Sequence, residues 1–450
     1  MRLKPSKGLQ DFAVTVFARG GAMFFSLATQ SVLAWMLGRS GRGEYALCLI
    51  FSNLSSAILI LGMDWSCNYY ISSKKISLNQ TVSIAIVNGL VMTILALALL
   101  PMLKLLPIEF FQKIGSLSYS ASIAWAISLI GFSFAAQIMT GLKCFTHLAI
   151  LSLSKVCFTF IATAGLLYMT DLEVAAPIFA DTASGFLSVL FVLIFVVAKY
   201  KYRFELPKFD AVRQFMGYGA RFFGGSFGMI ANTRLGTILL AFYVEKEQLG
   251  IFAQAMAFSA LFTTLADMAC RIIQPRVASS VNGRPELVIS AARIIGLVVL
   301  SSGCIFLLFA DYLIPVLFSP EFTPMIPLLF ILMPGIWIRV IAKTLFPYFN
   351  GTNRPGVVSQ ATIVNLVVNL VLLMVLVEPY GLAGASWATS IAYFVSSAFI
   401  FYKINSLTHV NYFKILLPQY SDVGELMRHL NIRRKGESKV SEEMSHAKNS

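Results

Sequence analysis

A chain of 450 residues in which 57% of side chains are hydrophobic and 12% charged, with a mean hydropathy of +0.76, lies far from soluble proteins, which run at about 45–50% apolar and about 25% charged residues. Disordered, collagenous and disulfide-stapled classes are excluded, and apolar stretches of roughly 20 residues recurring from end to end place the chain in a lipid bilayer. The net charge of +14 has meaning only once it is located. The six cysteines sit in or beside apolar runs without CxxC spacing and read as small buried hydrophobes.

Hydropathy over a roughly 19-residue window predicts twelve spans: 12–37, 45–71, 79–103, 117–141, 146–169, 174–198, 214–243, 249–272, 288–317, 325–349, 356–377 and 381–403. The first is too long for a signal peptide and lacks a small-residue cleavage site, so it reads as a retained membrane helix. An even number of spans puts both termini on one side. Arg2, Lys4, Lys7, Lys74, Lys75, Lys199, Lys201, Arg203, Lys208, Arg213, Arg276, Arg284 and the tail share that side, which the positive-inside rule makes cytoplasmic. The opposite loops carry little positive charge: Arg39 and Arg42, then Lys104 and Lys113, then Lys246. From residue 405 to 450 the composition turns polar, with seven Lys/Arg against five Asp/Glu, and reads as a solvated cytoplasmic tail. Basic residues scattered at span ends, rather than gathered on one face, argue against nucleic-acid binding.

The sequence also repeats itself. Leu33-Ala34 and Gly43-Glu44-Tyr45-Ala46 are echoed 207 positions later by Leu240-Ala241 and Gly250-Ile251-Phe252-Ala253. Later echoes fall near an offset of 210, Gly141 against Gly351 and Asp171-Leu172 against Gly381-Leu382. The basic stretch 199–213 divides the chain into an amino-terminal lobe, 1–205, and a carboxy-terminal lobe, 206–404. Each holds six helices, so the expected fold is all-α and integral to the membrane, with its two lobes related by a pseudo-two-fold axis along the membrane normal. Two such bundles face to face enclose a cavity, the architecture of a carrier rather than a mere anchor.

Charges inside spans carry the most information, because each costs about 2.5–3.5 kcal/mol at the bilayer centre unless it faces protein or water. Arg19, Arg221, Arg234, Arg271, Arg339 and Lys343 are the cations; Asp64, Asp181 and Asp267 are the acids. Asp267 and Arg271 have the i, i+4 spacing of an internal ion pair. Arg19, Arg221 and Arg234 have no acid within four positions, and a mainly cationic lining favours an anionic substrate, with guanidinium suited to bidentate phosphate contacts. Asn68, Asn88, Asn232, Asn365 and Asn369 are candidate polar cavity residues; Asn365 and Asn369 share a helix face. The glycine run from Gly217 to Gly228 and the prolines from Pro315 to Pro347 predict close approaches and breaks. No GxxxxGK[ST] loop is present, the four histidines lack metal spacing, and no catalytic nucleophile or carboxylate pair is visible.

Leu33-Ala34, Leu37-Gly38-Arg39, Gly41-Arg42-Gly43-Glu44-Tyr45-Ala46, Tyr312-Leu313-Ile314-Pro315-Val316-Leu317-Phe318-Ser319-Pro320-Glu321-Phe322, Asn350-Gly351-Thr352-Asn353-Arg354 and Tyr380-Gly381-Leu382-Ala383-Gly384-Ala385 resemble the Wzx-type polysaccharide flippases of the multidrug/oligosaccharidyl-lipid/polysaccharide exporter superfamily. The similarity runs to about residue 404. It implies a MATE-like carrier of the bacterial inner membrane, not an enzyme and without a cofactor, driven by an H+ or Na+ gradient. Its cargo would be a polyprenyl-diphosphate-linked oligosaccharide destined for O-antigen, capsule or exopolysaccharide, with the pathway's polymerase and glycosyltransferases as partners. Arg19, Arg221, Arg234 and Arg339 then become candidate substrate ligands and Asp64 the candidate coupling residue. The rivals are an exporter of drugs or metabolites, which would place acids rather than Arg19 in span 1, and a non-transporting scaffold.

Overall fold

The computed structural model describes residues 7–278, 285–352, 354–408 and, beyond these, Ile415, Leu416, Gln419 and Asp422. Among the described residues the secondary structure is helical throughout: α1 (Lys7–Ile60), α2 (Met63–Ser73), α3 (Leu78–Leu103), α4 (Glu109–Gln112), α5 (Ser116–Gly141), α6 (Phe145–Met169), α7 (Ala175–Tyr200), α8 (Phe209–Ala241), α9 (Lys246–Ala278), α10 (Pro285–Leu308), α11 (Ala310–Phe318), α12 (Met325–Thr344), α13 (Phe346–Gly351) and α14 (Pro355–Thr408), with a 3-10 turn at Pro320–Phe322. Nine segments of the described chain are long and apolar enough to cross a membrane. The chain is a multi-pass membrane protein, as its composition requires.

Two of those segments hold two expected spans each. α1 and α14 are both 54 residues long, about 80 Å at helical rise, against about 30 Å of hydrocarbon. Each is interrupted by one glycine with non-helical dihedrals, Gly38 (φ 63°) and Gly381 (φ 54°), a left-handed backbone that only glycine adopts without strain. The kink in α1 carries Arg42 into the following helical turns, where the side chain is buried. That corrects the expectation of an exposed loop at Arg39 and Arg42. The span expected over 45–71 is broken at Leu61 and Gly62, where φ turns positive at both residues. Conversely, α8 runs unbroken through its glycine run.

The chain packs as two compact units. The first comprises 1–257, 311–326 and 373–385, and the second 258–310, 327–372 and 386–450. Within the first, backbone approaches at glycine fix the crossings. A β-carbon on Gly43 would strike the Lys246 carbonyl, and one on Gly250 would strike the Arg39 carbonyl, so α1 and α9 cross with bare backbones in contact. Gly43 and Gly250 are the pair related in sequence by the 207-residue repeat. A second crossing joins Gly62 to α8, where a β-carbon would lie 2.6 Å from the Gly219 carbonyl oxygen. Ser66 donates to the Phe215 carbonyl (2.8 Å) and Tyr70 to that of Gln214 (3.1 Å), tying α2 to α8. Ser77 caps α3 by accepting from the Gln80 amide.

In the second unit the core gathers Ile273, Leu287, Val288, Ile341, Leu345 and Phe349. Arg293 of α10, a span charge beyond those picked out from the sequence, is buried and bonds Asp422 at 2.6 Å. Ile415 joins this core with no exposed surface. The described residues of the 405–450 tail are thus docked rather than uniformly solvated; the rest lie outside the described residues.

Gly43→Ala is expected to force α1 and α9 apart and to destabilise the protein by about 1–3 kcal/mol. Gly217→Ala, where a β-carbon meets nothing within 4 Å, should leave it unchanged. Thermal unfolding of the two variants in detergent checks the contrast.

Candidate functional site

A polar constellation of the first unit grows from the segment after the Gly38 kink. Arg42 is 3% exposed. One guanidinium nitrogen donates to Gln30 Oε1 at 2.6 Å, while Nε and Nη1 are buried with no hydrogen-bond partner. Its guanidinium stands 5.4 Å from the Tyr45 ring centre. Tyr45 stacks on Trp125 of α5, centroids 5.7 Å apart, and the Trp125 indole donates to Asp181 of α7. Asp181 also accepts from Lys155 of α6 at 2.7 Å and from Thr159 at 3.2 Å. Arg234 of α8 is half-buried and within electrostatic reach of the Tyr45 hydroxyl. Five helices, α1, α5, α6, α7 and α8, therefore bring one ion pair, joined through Asp181 to Trp125, and two further guanidinium groups around a common aromatic pair.

The electrostatic balance is plain. Lys155 and Asp181 cancel, leaving a surplus of positive charge on Arg42 and Arg234, neither of which has a carboxylate partner among the described residues. A buried ion without a counter-charge costs several kcal/mol. Nitrogen atoms that are both buried and unsatisfied are rare in native proteins, and here they belong to a cation. The arrangement is chemically fitted to an anion with oxygen acceptors, such as a phosphate or carboxylate. Among the described residues no cluster of His, Cys, Asp and Glu is able to hold a metal ion.

Other residues expected at the site are placed as follows. Arg19 is half-buried on α1. Arg221 is exposed on α8 and neighbours an aromatic ladder in which Tyr69 stacks on Tyr218 at 4.2 Å, Tyr218 on Phe222 at 5.4 Å and Trp65 on Phe222 at 5.4 Å. Asp64 is buried in the first turn of α2 and accepts from the Ser133 hydroxyl at 2.6 Å. Asn68 donates to Gln137 at 3.3 Å, and the Asn88 amide nitrogen in α3 is buried without a partner. The Asn232 side chain lies outside the described residues. In the second unit Asn365 accepts from Ser396 and Asn369 donates to Thr389, so these two amides join the two halves of α14. Asp267 pairs with Lys343 of α12 at 2.8 Å. The intrahelical partner expected for it, Arg271, has its side chain outside the described residues.

Three contributors escaped the sequence reading. Arg42 was placed in a loop, because hydropathy cannot see that the helix resumes after Gly38. Lys155 was passed over inside span 146–169, although a lone ammonium there demands an acid partner. Arg293 was passed over for the same reason.

With this geometry in place, the comparisons are informative. The sequence profile described as polysaccharide biosynthesis protein matches residues 9–255, a stretch that contains every member of the Arg42 cluster. The chain belongs to the polysaccharide biosynthesis protein family. It is 22% identical over 271 residues to the probable low-salt glycan biosynthesis flippase Agl15 of Haloferax volcanii, a match covering 59% of this chain and 55% of that one; the chain thus spans about half the length of this curated relative. Among solved structures, the lipid II flippase MurJ in an inward closed conformation matches with a TM-score of 0.74 at 13% identity, over 93% of this chain and 91% of that one. An inward-facing multidrug resistance MATE family transporter of the MOP superfamily matches at 0.69 and 13%, over 88% and 99%. The fold is that of these membrane transporters, as the MATE-like expectation required.

Neutralising one member of the internal pair, by Lys155→Met or Asp181→Asn, strands a buried charge and should cost about 3–5 kcal/mol. The double substitution should recover most of that loss. A double-mutant cycle on thermal unfolding measures the coupling.

Proposed function

We propose that this protein is a flippase that carries a polyprenyl-diphosphate-linked oligosaccharide from the cytoplasmic to the outer leaflet of a bacterial inner membrane, for assembly of a surface polysaccharide such as O-antigen, capsule or exopolysaccharide. The observation that carries the reading is the pair of cations, Arg42 and Arg234, that lack carboxylate partners beside Tyr45 in a chain of the polysaccharide biosynthesis family. A diphosphate brings the negative charge and the oxygen acceptors those guanidinium groups lack. Arg19 and Arg221 extend the positive lining. The Tyr69–Tyr218–Phe222 ladder beside Arg221 suits the apolar faces of sugar rings, and Asn68 and Asn88 suit their hydroxyls. Carrying hydroxyls and a diphosphate through hydrocarbon unaided costs several kcal/mol for each unsatisfied group, whereas a polyprenyl chain stays soluble in lipid.

In this reading the chain crosses the membrane twelve times. The kinks at Gly38 and Gly381 each divide a helix into two crossings, and α8 contributes another. Two lobes of six helices, 1–205 and 206–404, rock in alternating access about the repeat-related crossing at Gly43 and Gly250. Both termini face the cytoplasm, no cofactor is needed, and an H+ or Na+ gradient drives the cycle through Asp64. Glycosyltransferases that build the cargo and a polymerase that consumes it are the partners in the pathway. The protein performs transport, not catalysis.

Replacing Arg42 and Arg234 together by Gln is expected to lower surface glycan at least about tenfold, given the strength of charge-assisted hydrogen bonds, while lipid-linked precursor accumulates inside the cell. Undiminished glycan at normal protein level would show that these cations do not touch cargo. For coupling, Asp64→Asn should abolish gradient-driven translocation of a fluorescent lipid-linked sugar in sealed vesicles while leaving its binding to the purified protein intact. Translocation that keeps its dependence on the gradient would remove Asp64 from the mechanism.

A further inference from the structure

Arg339 of α12 belongs to the second compact unit and to neither of its ion pairs. The guanidinium lies against the Tyr393 ring of α14, 4.5 Å from its centre, a stacking contact that fixes its plane without neutralising it. One helical turn away, Lys343 takes Asp267 at 2.8 Å. Among the described residues no carboxylate bonds to Arg339.

The same guanidinium lines a small pocket with Thr362, Ser396 and Ser397, walled in part by Ala342 and Phe346. Its hydroxyls are not equivalent. Thr362 donates to the Val358 carbonyl of its own helix, and Ser396 donates to Asn365 and the Tyr393 carbonyl. Ser397, 1% exposed, has no partner for its hydroxyl. The pocket therefore offers two unspent donors, a guanidinium and one hydroxyl, and no acidic side chain lines it. It has room for a guest about the size of a water molecule, too little for a sugar ring.

We infer that this pocket binds a small monovalent anion, held between the Arg339 guanidinium and the Ser397 hydroxyl. A neutral water fills the space but leaves the cation uncompensated; an anion supplies the counter-charge and accepts from both donors. The site is separate from the Arg42 cluster, and it stands or falls independently of the transport reading. The size of the pocket limits the anion to a free halide rather than the carboxylate of a larger molecule.

The test uses the purified full-length protein in detergent, with thermal unfolding followed as chloride replaces isethionate at constant ionic strength, and in a parallel series as glucuronate replaces it. A saturable rise in Tm is expected with chloride and not with glucuronate, because a ligand bound only by the folded state stabilises it and glucuronate is too large for the pocket. Saturation by glucuronate would place the anion outside this pocket and overturn the site. Arg339→Gln should abolish the response and Ser397→Ala should raise the half-saturating concentration about tenfold or more. The serine variant, which removes a single hydroxyl, carries the test should Arg339→Gln fail to fold. No saturable response to either anion means that the pocket holds water only. A response undiminished in both variants places the anion elsewhere. Either result overturns the site.

Discussion

A charge in hydrocarbon must be cancelled, hydrated or used, and this protein is organised by that constraint. Lys155 with Asp181, Lys343 with Asp267 and Arg293 with Asp422 are cancelled by contact at 2.6–2.8 Å, each linking parts of the chain far apart in sequence. Such pairs add little net stability, since desolvation offsets their attraction, but losing either partner is costly. They therefore act as registry pins between helices. Outside these pairs stand cations with no carboxylate partner among the described residues, Arg42 and Arg234 in the first unit and Arg339 in the second, and one acid, Asp64, whose described side-chain partner is neutral. The overall charge of +14 thus holds three populations, of which only the smallest concerns ligands.

The surplus cations depend on backbone features that bring them to their places. Gly38 turns the chain so that Arg42 faces Gln30 and Tyr45 instead of water. Immediately after Arg42, at Gly43, the absence of a side chain admits α9 to backbone contact, and Lys246 then reaches Glu44 at 3.3 Å. On the other side of the cluster, Gly62 and Gly219 seat α8, the helix that carries Arg221 and Arg234. Small residues suit this work in lipid, where dispersion and backbone contact replace the hydrophobic effect as the force between helices.

Much of this was legible in the sequence, and the misses have physical causes. Composition and hydropathy disclosed an all-helical membrane chain because bilayer thickness imposes a length on every span. The repeat paired Gly43 with Gly250 before any contact between them was known. Partnership was another matter. Sequence spacing sees only neighbours on one helix and offers Asp267 only Arg271, whose side chain lies outside the described residues, whereas the partner the structure describes is Lys343, 76 positions away. Arg42 was lost for the opposite reason: a run of Gly, Arg and Ser between apolar stretches looks like a loop, and only the dihedrals of Gly38 show that helix continues beyond it. Amides were the least legible of all, since Asn365 and Asn369 satisfy each other's helices through Ser396 and Thr389, whereas Asn88 keeps an unspent donor, with nothing in their neighbouring residues to tell them apart.

The acids divide as sharply as the bases do. Asp181 is held by an ammonium, an indole and hydroxyls, and the ammonium supplies its counter-charge. Asp64 is the more deeply buried of the two, yet its described side-chain partner is the hydroxyl of Ser133, a neutral donor that brings no counter-charge. Of the two span acids in the first unit, Asp64 is thus the one whose charge is uncompensated and whose occupancy by a small cation changes the local balance most. A carrier whose cargo is anionic also needs its driving ion bound away from the cationic groups that hold the cargo, and Asp64 is not joined to the Arg42 cluster by any described hydrogen bond or ion pair. This is the physical argument for proposing Asp64 rather than Asp181 as the coupling carboxylate.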